Sequence, residues 1–460
     1  MRLNYDAVVI GAGISGLTSA LLMARRGKRT AVLEARGNIL PLMRGFARKG
    51  AHFETGFHYA SNLEEGGFGP YIFAKLGLDL KPFPLPREGY DEIRLLPTGR
   101  VFKMVCGADG LQKKLAESFP QESAAINAYL EKTAAAAAKS AYLNMQNGGE
   151  DFDTIIDSPP ALQEVLDAHF KSPELKAILS VNSFLHGTPP EKISFAQHCC
   201  ITCGLYKSAW GIEGGGRAIN AAYGAALKNA GVDIFLNGEA VAITREGGQK
   251  IIILKDGRQF ACDACIAAVH PKIFLRLAPP EVYREGYKTR LLDLRETPGF
   301  FALYGVLNKE TFFETVNIFA VRDLDVNKIF GGGGKSYYIN FSRSRPQAVS
   351  IISLVPSDSW QRGPDYKTKK AAFALEIKKD IQTLFPQIAD NIEYLDASTP
   401  ATMRAYCGYG GGYGLMHDVN KTKILPITKI PGLYLTGQSV IAPGFLGALI
   451  TSLAVDRVVK

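Results

Sequence analysis

The 460-residue sequence has no block of basic residues, no uninterrupted apolar run of membrane-spanning length, and no even set of cysteines. Each absence removes a class of function. Lys and Arg total 53 against 44 Asp and Glu, a formal charge of +9, but the cations are spread along the chain. The densest patch, residues 366–370 with Lys378 and Lys379 behind it, falls in a helix-like stretch. Dispersed charge adheres weakly to anionic lipid more readily than it reads bases, so nucleic acid is excluded as a partner and contact with an anionic membrane surface is expected. Residues 433–455 carry no formal charge, yet Gly437, Gln438, Pro443, Gly444 and Gly447 interrupt them, so they read as strand, loop and helix rather than as a span. Residues 7–24 are also uncharged, but glycines 11, 13 and 16 lie inside and no clear small-residue cleavage site follows. The expectation is a cytoplasmic protein, soluble or peripherally attached to membrane.

Seven cysteines in a long chain imply no disulfide framework. Cys200-Ile-Thr-Cys203 and Cys262-Asp-Ala-Cys265, with His198 and Cys199 adjacent, imitate a zinc ribbon. They are about 60 residues apart rather than roughly 15–20, and the second pair lies in a strand-like run, where residues three apart face opposite sides. No metal is expected, only buried thiols. No Ser-His-Asp or paired-carboxylate signature is present either. With 47% hydrophobic and 21% charged residues, disorder is excluded, and the length exceeds one core of ordinary size, so two domains folded together are expected.

What is present starts at the amino terminus. Residues 5–10 form an apolar β-type run, Gly11-Ala-Gly13-Ile-Ser15-Gly16 a turn, residues 17–26 a helix that Gly27 stops, and residues 29–33 a second strand before Glu34. This βαβ unit has the spacing of a dinucleotide seat, with its acid 23 residues beyond Gly11. The first glycine permits the tight turn, the second lets backbone approach a diphosphate, and the third lets helix pack on strand. The helix N-terminus then offers free N–H groups and positive dipole to the phosphates. Glu34 would accept hydrogens from a ribose diol and repel a 2′-phosphate, which disfavours NADP. FAD and NAD use this unit alike.

A helical region over residues 111–186 follows, with alanines at 134–138 and Pro159-Pro160 and Pro189-Pro190 as punctuation. Gly214–Gly216 opens a helix over 217–229, and strands are expected at 233–236, 240–244, 251–255 and 263–269, with Asp256-Gly257 as a hairpin turn. Runs at 300–306, 317–321, 336–342 and 349–355 read as a second sheet with a helix over 366–385. The Gly331–Ser336 stretch lacks the glycine spacing of a phosphate loop and reads as a hairpin tip.

These blocks resemble the flavin-dependent phytoene desaturase, carotenoid isomerase and retinol saturase group, within the wider amine-oxidase-like flavoproteins. The first block, DAVVIGAGISGLTSALLMARRGKRTAVLEAR, is similar to that family's FAD fingerprint. Phe53-Glu54-Thr55-Gly56-Phe57-His58-Tyr59 resembles a segment beside the isoalloxazine, GGGRAINAAYGAALKNAGVDIFLNGEAVAI the part that folds over adenine, and the stretch from Leu433 through Leu449 the closing flavin motif. The resemblance covers nearly the whole chain and implies an α/β fold: a Rossmann-type FAD-binding domain with a second, mixed α+β substrate domain in a glutathione-reductase-like, amine-oxidase-like architecture. The FAD domain is assigned to 1–80, 205–272 and 425–460, and the substrate domain with its helical insertion to 81–204 and 273–424. FAD contacts are implied at Gly11, Ala12, Gly13, Ser15, Gly16, Glu34, Ala35, Arg36, Arg44, Val241, Gly437, Gln438, Gly447, Ala448 and Leu449. His58 and Tyr413 are the candidate catalytic residues, Tyr409 shares the glycine-rich segment 406–414 with Tyr413, and Glu54 is read as orienting its loop. Two departures mark this chain: residues 38–43 replace a Gly-Gly pair usual after the acid, and Ser452-Leu453 stands where Ser-Gly is common.

One fingerprint implies one bound cofactor. The resemblance implies an FAD-dependent oxidoreductase acting on carbon–carbon bonds of a lipophilic isoprenoid or polyene by desaturation, saturation or cis-trans isomerisation through hydride transfer at flavin N5. The alternatives are a flavin amine oxidase or porphyrinogen oxidase, and a GDP-dissociation-inhibitor-like prenyl carrier without flavin.

Overall fold

In the computed structural model, which describes residues 2–140, 159–331 and 335–459, the chain passes repeatedly between two seven-stranded sheets. It opens with β1 (Arg2–Ile10), α1 (Ile14–Arg25) and β2 (Thr30–Leu33). The second half of β1 and all of β2 are buried, as expected of parallel strands covered on both faces, which read as continuous apolar runs. The helix begins three residues before the expected Leu17, because Gly13 is an extended N-cap and Gly16 already lies inside the first turn.

A hairpin of β3 (Phe46–Arg48) and β4 (Ala51–Phe53), then α2 (Phe68–Leu76), β5 (Pro82–Pro84), β6 (Glu88–Leu95) and β7 (Arg100–Val105), lead into the helical insertion. This comprises α3 (Ala108–Ser118), α4 (Ser123–Ala138), α5 (Leu162–His169), α6 (Pro173–Ser180) and α7 (Phe195–Lys207); the part of the expected helical region at 141–158 lies outside the described residues. The alanine run falls in α4, whose small side chains let α7 pack against it. Then come β8 (Trp210–Ile212), α8 (Gly215–Asn229), β9 (Asp233–Phe235), β10 (Ala240–Glu246), β11 (Gln249–Leu254) and β12 (Gln259–Ala267). Helices α9 (Pro271–Leu277) and α10 (Glu285–Leu292) precede β13 (Gly299–Leu307), β14 (Asn317–Val321), β15 (Tyr337–Phe341) and β16 (Ala348–Val355). The chain finishes through α11 (Tyr366–Leu384), α12 (Pro386–Ala389), β17 (Ile392–Ser398), α13 (Pro400–Cys407), β18 (Leu433–Leu435) and α14 (Gly444–Val458). The expected hairpin tip between β14 and β15 falls largely on residues 332–334, outside those described.

The first sheet runs β10-β11-β12-β1-β2-β9, with β18 parallel to β12 beyond the end of β11. Strands β12, β1, β2 and β9 are parallel, and β10 and β11 form an antiparallel edge. The second sheet runs β17-β13-β16-β15-β14-β6-β7, antiparallel except for the β14–β6 pair. Strand β6 escapes a composition reading because its sequence is EGYDEIRL, yet Asp91 and Glu92 are both buried; burial in the sheet overrides the low strand propensity of acidic residues. One face of this sheet packs Phe319 and Tyr338 against the helical insertion, and the other packs Phe301 and Ile351 beneath Trp360 and α11. The CxxC pairs lie on α7 and β12, and all seven thiols are free. Among the described residues no three His, Cys, Asp or Glu side chains gather as a metal site, and no helix is long and apolar enough to cross a membrane.

Candidate active site

A cavity of about 510 Å³ runs from the β1–α1 turn to the face of the second sheet. The turn itself is constrained by contacts. Gly11 adopts φ +104, its N–H donates to Leu33 O at 2.8 Å, and an added Cβ would stand 2.6 Å from Ala268 O. On Gly16 an added Cβ would overlap the Gly11 carbonyl and stand 3.0 Å from Ala268 Cβ. Gly13 differs, since an added Cβ meets no protein atom within 4 Å. Helix α1 has no side-chain cap at Gly13, and α14, which starts at Gly444, has none at Pro443. Two uncapped helix starts therefore border one cavity, a setting that favours phosphate.

Glu34, at the end of β2, is buried; its Oε2 accepts from Ala12 N at 2.7 Å and its Oε1 from Arg36 N at 2.8 Å. A carboxylate oxygen accepts more than one hydrogen bond, so a ribose diol remains within its capacity. On the opposite side Gly437 sits at φ +131 with open space beside it, and the Gln438 carbonyl lies 2.9 Å from His417 Nε2. Ser452 Oγ donates to Ser15 O at 2.9 Å and so ties α14 to the turn. The unusual 38–43 segment closes over the turn instead of leaving it open: Leu40 N donates to Ala12 O at 2.8 Å, and Leu40–Met43 line the cavity. These residues fit an FAD diphosphate and ribose.

Of the residues expected at the site, Gly11, Gly13, Ser15, Gly16, Glu34, Ala35, Arg36, Gly437, Gln438, Gly447 and Ala448 line the cavity, as do His58, Tyr409 and Tyr413. Four FAD positions do not. Ala12 is fully buried within the turn, and Leu449 packs into the apolar core around the first sheet. Arg44 lies beyond the lining on the loop before β3. Val241 sits where the β10–β11 register shifts, its side chain 43% exposed, and the wall there comes from Gly238, Glu239 and Ala240. Glu54 bonds Gly216 N at 2.9 Å, which caps the start of α8, and burial pushes its carboxyl up to about 7.

Burial pushes His58 down to about 4, and its Nδ1 has no hydrogen-bond partner. It is a neutral imidazole edge-on to Tyr338, with ring centres 5.4 Å apart. Tyr413 packs edge-on to Phe300, and burial raises its phenol well above the usual range, as it does for Tyr409. Tyr409 packs with its ring tilted 32° against His270, centres 4.8 Å apart; His270 is itself held neutral by burial near 3, and Tyr409 receives a bond from Gln438 Nε2. Sequence reading missed the polar group behind the wall: Tyr59 Oη donates to Asp91 Oδ2 at 2.7 Å, and Asn317 Nδ2 donates to Asp91 Oδ1 at 2.9 Å. These residues come from three separate segments: pairing of β6 with β14 sets Asn317 beside Asp91, and the loop after β4 brings Tyr59 against them. Away from them the wall is apolar, with Phe184, Leu185, Leu205, Phe300, Phe319 and Ile352.

Comparison with known proteins agrees with this geometry. The all-trans-retinol 13,14-reductase of Rattus norvegicus is 28% identical across 97% of this chain and 84% of its own length, and the Homo sapiens protein of the same name is 26% identical over the same shares. A crystal structure of an oxidoreductase from Methanosarcina mazei superposes with a TM-score of 0.72 at 15% identity, covering 99% of this chain and 100% of the other. The model of the flavin containing amine oxidoreductases matches residues 14–452. This chain therefore belongs to the flavin containing amine oxidoreductase family and is an FAD-dependent oxidoreductase.

Proposed function

We propose that this enzyme saturates one carbon–carbon double bond of a lipophilic polyene of the retinoid class. The observation that carries the reading is the continuity of the cavity: the phosphate-seating turn and the apolar pocket under Phe184, Phe319 and Ile352 are walls of one space. Bound FAD supplies the hydride, and the protein supplies position and exclusion of water. Near-full-length similarity to the retinol reductases supports saturation over amine oxidation. The carboxylates that line the cavity, Glu34 and Glu239, lie just after β2 and just before β10, beside the cofactor turn, and its apolar end under Phe184, Phe319 and Ile352 suits a cationic amine poorly.

The test is anaerobic. Photoreduced holoenzyme mixed with all-trans-retinol is expected to recover the oxidised-flavin absorbance and to yield a product shortened by one double bond. Reduction of the oxidised holoenzyme by primary amines, with no response to polyenes, would refute the reading.

Substrate of this kind is drawn from membrane, and one surface suits contact with anionic lipid. Exposed Leu292 on α10 and exposed Leu425 and Ile427 lie on segments joined by the Tyr287 Oη to Lys423 O bond, among exposed Arg290, Arg295, Lys421, Lys423 and Lys429. Vesicles containing phosphatidylserine should float the protein, less so at high salt, and neutral vesicles should not. Equal flotation with both would remove the electrostatic argument.

A further inference from the structure

Saturating a double bond takes a hydride on one carbon and a proton on its neighbour. Given the proposed reaction, the proton must come from the wall of the cavity. Its hydroxyl and imidazole groups are not equivalent. His58 and His270 are held neutral by burial, which makes each a weak base and leaves no acidic imidazolium near neutral pH. Among the described residues no carboxyl is hydrogen-bonded to Tyr409 or Tyr413; Glu296 lies near Tyr409, but its Oε2 accepts from Gly410 and Gly411 N–H. Tyr59 has a hydrogen-bonded carboxyl, and the surrounding hydrogen bonds fix where that carboxyl carries its hydrogen.

Asn317 decides the matter. Its Oδ1 accepts from Tyr338 Oη at 2.6 Å and from Asn340 Nδ2 at 2.8 Å, so its amide nitrogen must face the other way. That nitrogen donates to Asp91 Oδ1 at 2.9 Å and to Tyr90 O at 3.2 Å. Asp91 Oδ1 is thereby occupied as an acceptor, and a proton on this carboxyl belongs on Oδ2, facing Tyr59 at 2.7 Å. With that proton present, Asp91 donates to Tyr59 Oη, and the hydroxyl hydrogen of Tyr59 is released from Asp91 toward the cavity it lines. Tyr338 also lines the cavity, but its hydrogen is committed to Asn317.

We propose that Tyr59 is the catalytic proton donor and that Asp91 is the positioning residue that reprotonates it, with Asn317 fixing the direction of the relay. The Tyr59 O–H bond breaks as a C–H bond forms on the substrate, and the Asp91 Oδ2–H bond breaks as its proton restores the Tyr59 hydroxyl. Asp91 is left as a carboxylate and is reprotonated from water. The neighbouring carbon takes the hydride, so the double bond gains two hydrogens and no charge, and an external electron donor restores the reduced cofactor. The groups facing Asp91 are Tyr59 from the loop after β4, Tyr90 on β6, Cys106 after β7, and Asn317 and Tyr338 on β14 and β15. Among the described residues no cation pairs with it, and burial holds its carboxyl up at about 7, against an ordinary 3.8. The carboxyl therefore holds its proton below about pH 7 and loses it as pH rises through that value.

The test uses holoenzyme of the wild type, Asp91→Asn and Tyr59→Phe. Without substrate, infrared difference spectra of the oxidised wild type should show carboxylic-acid C=O absorption at pH 5.5 that bleaches with a midpoint near 7; the part due to Glu54 remains in Asp91→Asn, and the band due to Asp91 is missing there. In single turnovers of the reduced forms with all-trans-retinol, the wild type should slow above that midpoint and show a normal solvent deuterium isotope effect. Both variants should keep wild-type flavin content and be slower by about 100-fold, as for loss of a general acid, with a flat pH profile in Asp91→Asn. Absence of the band, or variants that keep the wild-type rate and isotope effect, would overturn the relay while leaving the proposed reaction standing. A wild type whose reduced flavin no polyene reoxidises would overturn the reaction and the relay with it, whatever the band does.

Discussion

Two neighbouring glycines of the same turn should fail in different ways when each gains one methyl group. At Gly16 the methyl has nowhere to go: it overlaps the Gly11 carbonyl and presses on Ala268 Cβ, and both are held by the parallel pairing of β1 with β12. Overpacking of this kind costs about 2 kcal/mol, which lowers the melting midpoint of a unit of 150–250 residues by roughly 4–8 °C even without cofactor. At Gly13 the backbone is extended, φ −70 and ψ 171, a conformation alanine adopts freely, and the new methyl touches no protein atom. Gly13→Ala should therefore cost the apoprotein no more than about 1 kcal/mol, from the weaker N-cap. Its methyl stands in the space assigned to the diphosphate, and a displacement worth about 1.4–2.8 kcal/mol weakens FAD by roughly 10–100-fold. The assay pairs thermal unfolding of the two apoproteins with FAD titration followed by flavin fluorescence. Gly13→Ala apoprotein that binds FAD as tightly as the wild type would refute the placement of the diphosphate on this turn.

Other outcomes follow from single residues. Glu54 is pushed from 4.5 to about 7 by burial, so this carboxyl alone contributes a loss of about 3 kcal/mol as pH rises through that interval, because the unfolded chain releases its proton first. Glu54→Gln should remove this contribution, read as a stability difference from the wild type that changes with pH between 4.5 and 8 in denaturation midpoints, and a difference independent of pH would show that the carboxyl ionises normally. Phe301 is fully buried between Trp360 at 5.2 Å and Phe373 at 4.7 Å; Phe301→Ala should cost about 3–5 kcal/mol, read as faster proteolysis of the second domain, with flavin content unchanged in the cold. Ser452→Ala removes the bond to Ser15 O and should cost about 1 kcal/mol with some loss of flavin retention, whereas wild-type retention would make the bond incidental to the seat.

The amino-terminal unit was legible because its signals are local: the three motif glycines, two apolar runs and an acid lie within 30 residues, Tyr5 to Glu34, and each has its own steric reason. The strands β13 to β16 were legible by the same token, as β-rich apolar runs. Strands β6 and β7 were not, since Asp91, Glu92, Arg94, Arg100 and Lys103 speak for a solvated surface until the second sheet and α3 cover part of them. Val241 shows a different limit: a shift of register between Ala240 and Ala242 turns one side chain outward, and no propensity records a bulge. The relay residues lay furthest out of reach. Tyr59, Asp91 and Asn317 are ordinary in their own segments, and their chemistry arises only from contact.

The bond from Ser452 to Ser15 joins residues 437 positions apart, so the pocket for the coenzyme is walled by elements whose synthesis is well separated in time. A nascent chain that has emitted α1 and β2 holds a half-built seat, and α14 must arrive before the second uncapped helix start faces the first. Loading therefore waits for α14 in each molecule, and the supply of flavin in the cell acts on chains that already carry this helix rather than on shorter ones.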